Sequence, residues 1–321
     1  MAPSGPKRFK KTIRGVNLGG WLVLEKWMTP SLFEGLAATD ETRLCLELGA
    51  RAADRLRPHW ETFVSESDFV WLAARGLDAV RIPVGYWIFG PPYPYHETFA
   101  GRAAPFVEGG LALLDQAFDW AERHGLGILL DLHAAPGCQN GFDNGGLLGV
   151  VDWHRKEEYI RFTLEVLERL AERYQGRTAL HGIEVLNEPH WDIPTGLLQD
   201  FTREASRRIR RHCRAREAAV VFHDGFRSHR EYIGFLAPPG HANVVLDIHR
   251  YQCFDPRDLA RDLHNHVRKA AVQRKREADS IRAELPLRTY VGEWSLGLDR
   301  NVVSLWAPGP VHHPLEGLDA F

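Results

Sequence analysis

Two glutamates in this chain stand where bond cleavage can be done. Glu188 follows the apolar run 182–186 and Asn187, and it precedes Pro189. Glu293 follows Thr289-Tyr290-Val291 and Gly292. Parallel β/α barrels keep their chemistry at the C-terminal ends of strands. Two carboxylates there can cleave a glycosidic bond: one protonates the leaving oxygen, and the other attacks the anomeric carbon or activates water. Pro189 removes a backbone donor and keeps Glu188 out of helical geometry. Gly292 permits close backbone approach just before Glu293.

Other polar residues stand at strand ends. Arg81 lies inside the apolar string Val80-Arg81-Ile82-Pro83. A buried arginine costs several kcal/mol unless paired, so a carboxylate partner is expected, with Glu293 the natural one. The cation would hold that glutamate ionised. His133 ends Leu130-Asp131-Leu132, while His249 and Tyr251 end and follow Leu246-Asp247-Ile248. A single histidine is most often a packed or surface group. Four polar residues beside the two glutamates are harder to set aside.

The elements that must position these groups alternate between short apolar runs and amphipathic segments, as in a parallel β/α protein. The runs are 13–18, 79–84, 127–132, 182–186, 219–222, 244–248 and 289–291. Between them, 159–174 places Ile160, Leu164, Leu167, Leu170, Ala171 and Tyr174 on one helical stripe, and 111–124 repeats the pattern. Residues 258–284 read as one long, charged, solvated helix. That makes seven strands where a closed barrel has eight. The 28 residues after Glu293 include Pro308, Pro310 and Pro314, then 315–321, which could open a helix. The expectation is one α/β domain over 1–321, a (β/α)8 TIM barrel lacking its eighth strand and helix.

Composition narrows the alternatives. A hydrophobic share of 44% supports a large core and argues against disorder. A net charge of -2 offers nucleic acid or an anionic membrane no electrostatic case. The four cysteines form no CxxC pair, so no zinc or redox motif is expected and reduced thiols fit. Residues 1–11 are basic and polar without an apolar core, which predicts no signal peptide and a cytoplasmic enzyme. No run of about 18 apolar residues appears, so no membrane span is expected.

Longer strings carry a resemblance. Arg14-Gly15-Val16-Asn17-Leu18-Gly19-Gly20-Trp21-Leu22-Val23-Leu24-Glu25, Met28-Thr29-Pro30-Ser31-Leu32-Phe33, Gln139-Asn140-Gly141-Phe142-Asp143-Asn144-Gly145 and His249-Arg250-Tyr251-Gln252-Cys253-Phe254 join the two glutamate motifs. Together, from about residue 13 to 299, they resemble glycoside hydrolase family 5, retaining (β/α)8 barrels, in its exo-β-1,3-glucanase and β-glucosidase branch.

The resemblance implies roles. Glu188 would be the acid/base and Glu293 the nucleophile. Asn187 would bind the sugar 2-hydroxyl, and Arg81 and Tyr251 would hold the nucleophile. His133 and His249 would line the −1 subsite. Glu25 would hydrogen-bond the non-reducing-end sugar, and Asp143 belongs to the same substrate-binding set. Phe142 and Phe254 would clamp the next sugar at the pocket mouth, which favours exo attack over an endo-glucanase groove. The expected substrate is a β-glucan oligosaccharide or β-glucoside, with no metal or organic cofactor. The chain departs from the family by stopping before the eighth strand, whose tryptophan floors the −1 subsite. Loops 294–314 could cover the gap, with Trp294 or Trp306 replacing that tryptophan, or copies could associate across the open edge. A crippled, sugar-binding barrel is the alternative from a different class.

Overall fold

The computed structural model describes residues 12–91, 93, 98–99, 102–103 and 106–298. Seven parallel strands form one sheet in sequence order: β1 (Gly15–Asn17), β2 (Ala79–Gly85), β3 (Gly127–Ala134), β4 (Leu180–Glu184), β5 (Ala219–His223), β6 (Val244–His249) and β7 (Arg288–Glu293). All seven apolar runs are therefore strands, and the sheet curls into a nearly closed barrel. A short antiparallel hairpin pairs Thr98–Phe99 with Arg102–Ala103.

Period-two alternation explains the interior. Outward-facing Val80, Ile82, Val84, Ile128, Leu130 and Leu132 pack in the main core beneath the helices. Inward, Leu129, Ala219, Val221 and Val245 make a small apolar cluster. Two or four residues further along the same strands, the inward positions become Asp131 and His133, His223, and Asp247 and His249. The barrel interior thus changes from apolar to ionisable toward the C-terminal ends.

Three helices, α1 (Glu41–Leu48), α2 (Ala52–Phe63) and α3 (Glu66–Ala74), fill the long β1–β2 connection. Reciprocal hydrogen bonds between Ser65 and Asp68 start α3. The helices α4 (Gly110–His124) and α5 (Glu157–Tyr174) bury the predicted stripes, except that Leu111 and Ile160 are half-buried. Gly125, at φ 72, stops α4. The helix α6 (Thr195–His212) packs on α5.

Two expectations need correction. The fourth strand runs Leu180–Glu184, so Glu188 lies four residues beyond its end. The charged segment is not one helix: α7 (Pro256–Leu259) stands apart, and α8 (Leu263–Arg268) meets α9 (Arg274–Glu284) through a π turn at Lys269–Gln273. None of the described helices is long and apolar enough to cross a membrane.

Among the described residues β1 and β7 are the two edges of the sheet, with no backbone ladder between them. Side chains bridge this seam: Asn17 Nδ2 donates to the Gly292 carbonyl at 2.9 Å. Val16 and Val291 are exposed on its flanks. Trp294, offered by sequence as a floor for the site, is 62% exposed. Trp306 and residues 308–321 lie outside the described residues.

Candidate active site

The strand ladder continues past β4 and delivers Glu188. Val185 N–H donates to the Val221 carbonyl at 2.9 Å, and Asn187 N–H to that of Leu132 at 3.0 Å. Gln139 Nε2 donates to the carbonyls of His133 (2.6 Å) and Asn187 (2.9 Å), tying β3 to this turn. Glu188 itself has φ 43, a left-handed conformation that glutamate rarely adopts. Such backbone costs of order 1–3 kcal/mol and persists where the surroundings impose it, most often at functional sites. Here it turns the carboxylate over the barrel mouth, where Oε1 lies 2.6 Å from His249 Nδ1.

Glu293 closes β7. Its Oε1 receives Arg81 Nη1 at 2.8 Å, and its Oε2 receives the Tyr251 hydroxyl at 2.8 Å. The same His249 Nδ1 lies 3.5 Å from Glu293 Oε2. The Glu188 and Glu293 oxygens that face His249 are therefore at most about 6 Å apart, the limit those two distances allow and short of the roughly 6.5–9.5 Å range of inverting pairs. Burial pushes the Glu293 carboxyl up, but His249, Arg81, His133 and the Tyr251 hydroxyl outweigh it and hold it down at about 2. Glu293 is ionised at any physiological pH, as a nucleophile must be.

Arg81 is the hub of the site. It is 5% exposed, and all its nitrogens are used. Nε donates to Glu184 (2.8 Å), Nη1 to Glu293 (2.8 Å) and Asn17 (3.2 Å), and Nη2 to Asn187 (2.8 Å), while Nη2 also lies 3.1 Å from Asp131 Oδ2 as an ion pair. The expected pairing with Glu293 is present, but it is one of three carboxylate contacts. Burial opposes the charge of Arg81; Asp131, Glu184 and Glu293 more than restore it.

His133 Nδ1 hydrogen-bonds Asp131, and its Nε2 faces Asn187 Nδ2 at 3.5 Å. Burial works against a charged His133, yet Asp131 raises its affinity for the proton. His249 is likewise raised well above an ordinary histidine: burial lowers it, and Glu293, Asp247 and Glu188 outweigh burial.

Glu25, Phe142, Asp143 and Phe254 stand on the rim of the same cavity, whose volume is about 2910 Å³ because it runs through the seam beneath the site. Glu25 accepts the Trp27 indole N–H at 2.9 Å. Burial and the neighbouring Asp143 carboxylate push Glu25 up to about 7. Burial likewise lifts Asp143 to about 6. Phe254 packs edge-on to Tyr251, with ring centroids 5.3 Å apart. All eleven residues singled out in the sequence thus face one cavity or the cluster at its base.

Several members were missed. Asn17, Asp131, Glu184, Asp247, Gln139 and His223 belong to the cluster or brace it. The signal that revealed Arg81, a lone charge inside an apolar strand, also marks Leu130-Asp131-Leu132, Ile183-Glu184-Val185 and Leu246-Asp247-Ile248. Burial, reinforced by Asp247 and Asp131 and opposed by Arg81, raises Glu184 well above an ordinary glutamate.

Glu188, His223 and His249 offer ligand atoms within 4.8 Å of one another, as do Glu184, Asp247 and His249. The first trio fits a cation poorly. His223 Nδ1 already accepts the Gly225 N–H at 2.9 Å, so the ring proton sits on Nε2, the atom a metal would need bare.

Comparison with known proteins agrees with this geometry. Residues 50–302 match the family described as cellulase, glycosyl hydrolase family 5. The chain is 41% identical over 291 residues to a protein named probable glucan 1,3-beta-glucosidase A from Emericella nidulans, covering 88% of this chain and 67% of that one. It is 38% identical over 294 residues to a probable glucan 1,3-beta-glucosidase from Arthroderma benhamiae, covering 90% and 67%. The chain spans about two thirds of the length of these curated relatives. Among solved structures, rutinosidase from Aspergillus niger superposes with a TM-score of 0.74 at 22% identity, covering 91% of this chain and 84% of that one.

Proposed function

The chain belongs to glycosyl hydrolase family 5, and on that premise we propose that it is a retaining, exo-acting β-glucosidase for β-1,3-glucan oligosaccharides or β-glucosides. The observation that carries this reading is the His249 Nδ1 atom shared by Glu188 and Glu293, which holds their facing oxygens at most about 6 Å apart and so supports a retaining pair over an inverting one.

In the first half-reaction Glu188 gives its proton to the glycosidic oxygen. A Glu293 oxygen bonds the anomeric carbon as the bond to the leaving group breaks. In the second, Glu188 takes a proton from water, whose oxygen displaces Glu293 and frees the sugar. Arg81 and Tyr251 would fix the attacking carboxylate, and Asn187, which accepts from Arg81, would take the sugar's 2-hydroxyl. Glu25 would bind the non-reducing end, with Asp143 beside it and Phe142 and Phe254 at the mouth, so that one end of the glucan enters. The names of the curated relatives support the β-1,3-glucan assignment. Association of two copies over the exposed edges of β1 and β7 is part of the same reading, and sedimentation of the purified chain tests it.

The decisive experiment is hydrolysis of an aryl β-glucoside by the wild-type chain and by Glu293→Ala. The expected result is turnover with the β-anomer formed first, and a loss on the order of 10⁴-fold or more in the variant. A folded but inactive wild type that still binds oligosaccharide would replace this reading with a sugar-binding barrel.

A further inference from the structure

One buried nitrogen in the site has no work in the scheme above. His223 is the last residue of β5, and its side chain is wholly buried. Its Nδ1 accepts the Gly225 N–H, so a neutral ring carries its proton on Nε2. Burial, with His249, Arg250, Arg81 and Arg227 nearby, keeps the ring neutral by driving its proton affinity well below that of an ordinary histidine. Yet Nε2 is shielded from water and has no hydrogen-bond partner among the described residues. A buried donor left unpaired costs about 1–3 kcal/mol, so its retention calls for a reason.

The reason lies across the barrel mouth. A ring nitrogen of His223 is within 4.8 Å of a Glu188 carboxylate oxygen and of a His249 ring nitrogen. The His223 and His249 rings meet edge to face, with centroids 4.3 Å apart. Of the other charged groups around His223, Asp247 keeps Oδ2 without a hydrogen bond, 3.6 Å from His249 Nε2, and the rest are engaged. Asp224 flanks Nδ1 at 3.6 Å, Asp247 Oδ1 accepts the Gly292 N–H, Arg227 donates to the carbonyls of Gly225 and His190, Arg250 pairs with Glu277, and Arg81 is saturated.

We propose that His223 is a positioning residue for the proton cycle of Glu188: its Nε2–H stands unused while Glu188 is protonated and donates to the Glu188 carboxylate once that proton has passed to the leaving oxygen. This rests on the glycosidase reading. His223 keeps its own proton throughout. The transferred proton starts on Glu188, leaves with the aglycone, and is replaced from the hydrolytic water. The orphan donor is thus a vacancy in the resting enzyme that is filled in the glycosyl-enzyme. It favours the base form of Glu188 at the stage that needs a base.

The tests are kinetic and spectroscopic. His223→Phe keeps a ring but no donor. It should move the basic limb of kcat/KM up by about one pH unit and lower kcat about tenfold on a substrate limited by deglycosylation. His223→Gln, which can return an N–H to the Nε2 position, should recover part of both. Wild-type profiles in both variants would overturn the proposal. A measurement on the unsubstituted protein covers the case in which the variants fail to fold. With labelled histidine, the His223 Nε2–H resonance should move downfield as Glu188 ionises, and Glu188→Gln should abolish that response. A resonance indifferent to Glu188 overturns the proposal. A wild type inactive on aryl glucosides would instead remove the glycosidase reading, while this titration still reports whether His223 serves Glu188.

Discussion

A methyl group added to Gly292 would fall 1.9 Å from Oδ2 of Asp247, while the Gly292 N–H already donates to Asp247 Oδ1 at 2.6 Å. The backbone just before Glu293 therefore rests directly on a buried carboxylate of the neighbouring strand. Gly292→Ala cannot be accommodated without moving β7 or Asp247. A displacement of about 1 Å at a reacting group costs on the order of 10²-fold in rate, and overpacking costs about 1–3 kcal/mol. The expected result is a kcat/KM lowered on that scale with a small drop in Tm. Unchanged kinetics would show that Glu293 is not positioned through this contact.

Arg81, 5% exposed, faces Asp131 and Glu184, both fully buried, and Glu293, which borders the cavity. Arg81→Met leaves those carboxylates without their common cation. Breaking a buried pair in this way costs about 3–5 kcal/mol, readable by denaturant unfolding. The acid limb of kcat/KM should also move up toward the usual carboxylate range, because Arg81 helps hold Glu293 ionised. A stationary acid limb would assign that duty to His249 and Tyr251 instead.

Glu41 is 1% exposed on α1, and its Oε2 accepts the Leu24 N–H at 2.9 Å. Burial, opposed by that hydrogen bond, pushes Glu41 up to about 8. Its folded value lies above its unfolded value of 4.5, so the native state holds a proton that the unfolded chain releases. Stability contributed by this group is present below about pH 4.5 and is lost as pH rises toward 8. Relative to wild type, Glu41→Gln should therefore gain stability across this window, by roughly 4–5 kcal/mol at its upper end. Parallel unfolding curves at pH 5 and pH 9 would show that Glu41 is already ionised in the fold.

Phe142 lines the cavity rim rather than the carboxylate cluster. Phe142→Ala should cost about tenfold in kcat/KM on a disaccharide, which needs the second sugar stacked, and much less on an aryl glucoside with a good leaving group. Equal losses on both substrates would remove the clamp role.

The seven strands were legible because each is a short apolar run, and the five between the two edge strands are buried almost throughout. Their ends were less so. Val185 and Leu186 extend the apolar string beyond Glu184, so sequence drew the fourth strand too far and read Glu188 as its end. The left-handed backbone of Glu188 has no sequence signature beyond the proline that follows. Residues 258–284 keep helical composition throughout, and nothing local announces the break after Leu259 or the π turn at 269–273. Asp131, Glu184 and Asp247 carry the same signal as Arg81, a lone charge inside an apolar strand, but only strand register shows that they converge on it. His223 is invisible to sequence altogether, since its interest lies in a partner it lacks.

The two contacts across the open side of the barrel have a mechanical meaning. Asn17 accepts from Arg81 and donates to the Gly292 carbonyl, one residue before the nucleophile that Arg81 also grips. The first and last strands are thus clasped through the catalytic machinery rather than through a ladder. Widening the gap would pull on Gly292, the residue before Glu293, and on the Arg81–Glu293 contact, so the open seam and the carboxylate at its end share one set of restraints.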